Sequence, residues 1–176
     1  MVAKLLKAFV KSDKTDAVLV VNQKKLHVNK GILSYHSDYF NTLFNSEFKE
    51  KSMEEIEVKD VRYMEFAMLL SLVHDRPIPI TRANAEELLE LADRFLLRAP
   101  KLQLEHFFIC SEGVGRRQKL ILADKYNLEN LLEHAIGLYN SRSAFTDFYN
   151  TNNTDISDEL KTKIFDKFFD NYAYNL

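Results

Sequence analysis

The period of the hydrophobic pattern changes once along this chain of 176 residues, and that change limits what it can fold into. Between residues 16 and 59 apolar residues come as short runs or in strict alternation, the period of extended chain. From residue 62 onward they recur three and four apart, the period of one helix face. Only four glycines and three prolines interrupt the pattern, so connections are short and helices dense. The expectation is an α/β (α+β) fold: a small three-stranded mixed sheet flanked by a helical cluster, followed by an all-α extension.

The strand signals are specific. DAVLVV (16–21) is a continuous apolar run of strand length, and KLHVN (25–29) alternates with Leu26 and Val28 on one face. Asn22, Gln23 and Lys24 between them are short enough for a hairpin. EEIEVK (54–59) alternates again, with Ile56 and Val58 inward. The stretch before it reads as two helices, the second capped by Ser37 or Asp38. A hairpin, a helical crossover and a third strand imply the mixed sheet.

Helical spacing places Phe66, Leu69, Leu70 and Val73 together in 62–74, and Leu88, Leu91, Ala92 and Phe95 in 83–95. It places Leu102, Leu104, Phe107 and Phe108 in 98–109, then resumes at 116–126, 128–139 and 157–173. Pro77 and Pro79 break the run, because proline lacks the helix donor and restricts its predecessor. Ser157 ahead of Asp158 and Glu159 suits the start of the last helix. At the other end, 2–11 carries Leu5, Leu6, Phe9 and Val10 on one side of a short helix that must dock on its own core or on a second copy.

One heptapeptide occurs twice, LADRFLL at 91–97 and LADKYNL at 122–128. Each copy falls where one helix ends and another begins. Ala92 and Ala123 allow close helix approach, Asn127 tolerates the left-handed conformation that ends a helix, and Leu97 and Leu128 seal the entry of the next helix. Two copies are too few for a solenoid.

The chemistry of a catalytic or metal centre is missing from this pattern. Five histidines (27, 36, 74, 106 and 134) have no metal-ligand spacing, and one cysteine builds no zinc cluster. Cys110, after Phe107, Phe108 and Ile109, is expected to be buried and inert, and the carboxylates to lie on solvent faces. Gly113 and Gly115 form a loop and not a phosphate cradle, since no strand precedes them. No catalysis, cofactor or metal is expected. The net charge of -2 predicts no nucleic-acid or membrane partner, and a lone cysteine points to the cytoplasm or nucleus.

The ordered blocks DAVLVVNQKKLHVNKGILSYHSDYFNTLFN, EEIEVKDVRYMEFAMLLSLV and ANAEELLELADRFLLRAPKLQLEHFF resemble the BTB, or POZ, domain over about residues 14 to 110. LILADKYNLENLLEHA is similar to the 3-box, the beginning of a BACK domain, found after the BTB domain of MATH-containing members. The likeness is greatest to nematode-type MATH-BTB proteins, with the MATH domain expected to be absent. It implies three parts: a pre-BTB dimerisation helix over 1–13, the BTB domain over 14–110, and a 3-box/BACK-like extension over 111–176.

The resemblance also implies a function and sites. It implies a dimeric substrate adaptor that binds cullin-3 in a ubiquitin ligase complex, or a homo- or heterodimerisation scaffold without a ligase role. Phe48 and Glu50 match the family's hydrophobic-x-acidic motif, which with the segment at His74 implies a cullin-facing surface. His74-Asp75-Arg76 replaces the usual aromatic-Thr-Gly there. Asp16 and Lys30 match a charged pair near the dimer interface, where Leu5, Leu6 and Phe9 would pack. The target of such an adaptor is an unknown protein.

Overall fold

The computed structural model describes residues 8–45, 55–74, 77–151 and 154–172. Strand β1 (Ala17–Val21) pairs antiparallel with β2 (Lys24–Val28), Val21 opposite Lys24, so only Asn22 and Gln23 make the turn. Both have positive φ, 48° and 63°, as a two-residue turn matched to right-handed strand twist demands. Strand β3 (Glu55–Glu57) runs parallel to β1 with Ile56 opposite Leu19, which places β1 in the centre. A parallel neighbour needs a crossover, and helices α1 (Lys30–His36) and α2 (Asp38–Asn45) lie within that connection. Leu19, Val21, Leu26 and Val28 are fully buried, while Glu55 and Glu57 face outward.

The outer edge of β2 is covered in part. The His27 N–H donates to the Phe9 carbonyl at 3.0 Å, and the Phe9 ring is buried, edge-on to His74 at 5.3 Å. Phe9 therefore docks on its own chain. Val10, expected on the same side, is exposed instead, because the chain has left the helix by then. Leu5 and Leu6 lie outside the described residues.

Helices α3 (Tyr63–Ser71), α4 (Ala85–Arg94) and α5 (Arg98–Cys110) complete the first part of the chain. Their core is aromatic. Phe95 stacks on Phe40 at 5.9 Å and tilts against Phe66 at 5.0 Å, and all three rings are buried. Such pairs add about 0.5–1.5 kcal/mol each beyond their burial.

Four more helices follow: α6 (Arg116–Tyr126), α7 (Glu129–Gly137), α8 (Arg142–Asn150) and α9 (Asp158–Tyr172). Their own core gathers Leu120, Tyr139, Phe145, Phe148, Leu160 and Ile164. Ser141 and Ser157 cap α8 and α9 by accepting from Ala144 and Leu160 N–H groups at 3.3 Å. The periodic pattern does not single out α8, whose apolar face consists of three residues only. The chain divides into two compact units, Met1–Leu104 and Glu105–Leu176. The division falls inside α5: Gln103 donates to the Leu72 carbonyl of the first unit, and Glu105 accepts from α7 of the second.

The repeated heptapeptide forms one turn built twice. After α4, Leu96 adopts φ 49°, its N–H bonds the Asp93 carbonyl, and the Leu97 N–H reaches back to Ala92 at 2.8 Å. After α6, Asn127 adopts φ 51°, its N–H bonds Asp124, and the Leu128 N–H reaches Ala123 at 2.9 Å. This is the Schellman stop, in which a left-handed residue turns two N–H groups onto the last carbonyls. Ala92, Leu97, Ala123 and Leu128 are buried as the spacing requires.

Two expectations fail on α5. Leu102 is 61% exposed, because Leu104 and Phe108 define the buried face and Leu102 points away from it. Cys110 is likewise exposed, two residues past Phe108 and so on the opposite side. Aromatic neighbours in sequence are not neighbours on the helix surface.

Asparagine suits the left-handed conformation, whereas leucine is strained there by about 1–2 kcal/mol. Replacing Leu96 by Gly is expected to raise stability by up to about 1 kcal/mol, and Asn127→Ala to lower it by a similar amount. Urea midpoints of the two variants measure this; loss of stability in Leu96→Gly would show that the exposed Leu96 side chain matters more than its backbone.

Candidate interaction surfaces

The first unit brings Asp16 and Lys30 together, though not as an ion pair. Asp16 Oδ1 accepts the Lys30 backbone N–H at 2.7 Å, and Asn29 Oδ1 accepts the Ile32 N–H at 2.9 Å. Two side-chain acceptors thus hold the start of α1, where free N–H groups and the positive end of the dipole favour them. Asn29 also donates to the Lys14 carbonyl at 2.9 Å, and the Lys30 ammonium lies over the Phe44 ring at 5.7 Å. His74 meets Phe9, a contact that the spacing did not foresee. Phe48 and Glu50 lie outside the described residues, as do Asp75 and Arg76.

Ser37 connects α2 to the first Schellman stop. Its buried hydroxyl donates to the Phe95 carbonyl at 2.6 Å and accepts the Phe40 N–H at 3.0 Å. Arg94 donates to the Asp60 and Lys59 carbonyls at 2.7 and 3.0 Å, holding the turn after β3. Around this frame Ile32, Tyr35, Tyr39 and Leu96 are exposed apolar side chains, Tyr35 at 85%. Nothing in the spacing marked them, since α1 and α2 fully bury only Leu33, Phe40 and Phe44.

The second unit buries charge. Glu105, expected on a solvent face like the other carboxylates, is buried and accepts the Leu131 N–H at 3.0 Å and the Asn130 amide at 3.3 Å. It does for the start of α7 what Asp16 does for α1, but from a different helix. Lys119 is also buried, with its ammonium 3.0 Å from the Ile109 carbonyl and 3.3 Å from His134 Nε2. Burial holds its pKa below the ordinary lysine value, with the nearby Cys110 acting in the opposite sense. Asp124, the acid of the second LAD, accepts from the Ser157 N–H at 3.0 Å and its hydroxyl at 2.9 Å.

These arrangements are structural supports. Among the described residues no group of histidine, cysteine and carboxylate side chains could hold a metal, and no helix is long and apolar enough to cross a membrane.

The family model described as BTB/POZ domain matches residues 5–112. The chain belongs to the BTB/POZ domain family. The match spans the three-stranded sheet and α1 to α5, and it ends before the second LAD turn. The nematode Caenorhabditis elegans supplies similar proteins. BTB and MATH domain-containing protein 38 is 36% identical over 69% of this chain and 31% of its own length. BTB/POZ domain-containing protein Y57A10B.3 is 33% identical over 90% of this chain and 50% of its own. The chain thus spans half or less of these relatives. The BTB domain of human gigaxonin matches at 26% identity, covering 53% of this chain and 77% of that one with a TM-score of 0.46. A BTB domain is a protein-interaction domain.

Removing the Glu105 carboxylate leaves a buried Leu131 N–H without its partner. Glu105→Ala is expected to cost about 1–3 kcal/mol, read as a lowered urea midpoint. Lys119 binds its proton more weakly when folded, so its contribution penalises folding at neutral pH. The penalty lifts as pH rises from the depressed folded pKa toward the ordinary 10.5. As pH rises toward 10.5, wild type is expected to gain stability relative to Lys119→Met. A constant difference over that rise would mean that burial does not govern this lysine.

Proposed function

We propose that this BTB chain is a dimeric adaptor that docks cullin-3 and presents a target protein to a ubiquitin ligase. The observation that carries the proposal is the second LAD turn. It stands just beyond the BTB match and repeats the first stop bond for bond, which supports the 3-box-like reading of 116–139. Phe48, Glu50 and His74 are the proposed cullin-facing groups. An aromatic on a loop anchors in a partner's pocket, and the acid two residues on orients it. Leu5 and Leu6 are proposed to lie at the dimer axis, near Asp16 and Lys30. Phe9, which meets β2 and His74 of its own chain, is proposed to belong to the same interface.

A second reading is a homo- or heterodimerisation scaffold without a ligase role. The position of His74 favours it: where the family has an aromatic-Thr-Gly segment, this ring is taken up by Phe9 of the same chain.

Titration of the purified chain with the N-terminal region of cullin-3 separates the two. The adaptor reading expects saturable binding that Phe48→Asp weakens by about 2 kcal/mol or more, the loss typical of a central anchor. A wild-type chain that is a dimer by light scattering yet shows no binding above background would leave the scaffold.

A further inference from the structure

We draw no further inference here: the strongest candidate, the apolar groove of the second unit between α8 and α9, walled by Phe145, Phe148, Phe165 and Phe169, is an unpartnered face, and nothing in the structure shows what covers it.

Discussion

Everything in the first unit is arranged around the way α4 stops. The left-handed residue Leu96 turns the chain so that the Leu97 N–H closes on Ala92, and this aims Phe95 between Phe40 and Phe66. The freed Phe95 carbonyl then accepts from Ser37, whose oxygen also caps α2. One backbone conformation thereby sets the aromatic core and the start of the crossover helix. Arg94, one residue earlier, holds the turn after β3 through two carbonyls. The sheet is small, three strands with β3 of only three residues, and a sheet of that size depends on such fastening from its helices.

The second unit uses the same stop for a different purpose. Asn127 takes the left-handed position without the strain that leucine suffers, and Asp124 turns from the helix to cap the start of α9 through Ser157. In the first copy the corresponding Asp93 meets Lys101 on the next helix instead. The backbone motif is constant and the side-chain partners are not. A helix end is dictated by a few local residues, whereas the partner of an exposed acid is whichever group the packing brings near.

Much of the fold was legible in the residue order. Alternation at Leu26 and Val28 and at Ile56 and Val58, and the short Asn22-Gln23-Lys24 link, of which Lys24 proved to belong to β2, identified the sheet because strand period and turn chemistry are local properties. The Ala92 and Ala123 positions were legible for the same reason. The misplacements have a common cause. Leu102 and Cys110 were assigned by their apolar neighbours in sequence, but on a helix the buried face is decided by what packs against it. Burial of Glu105 was equally out of reach, since its partners Asn130 and Leu131 come 25 and 26 residues later. Of the interaction residues, Asp16 and Lys30 meet through a backbone N–H, a form that charge matching alone does not specify. The rim formed by Tyr149, Phe165 and Phe169 had no signal, because an aromatic at helical spacing reads as core until the neighbouring helix is seen to stop short of it.

The residue order by itself determined the strands and, α8 apart, the helices, where the two LAD helices end, and that this chain is built as a BTB domain with helices beyond it. These features come from period, capping and left-handed tolerance, which act over a few residues. Only the tertiary structure decided that Phe9 is covered by its own chain, that Lys119 and Glu105 are buried, and that the α8–α9 aromatics are left partly open. Burial is a relation between segments far apart in the chain, and no local pattern contains it.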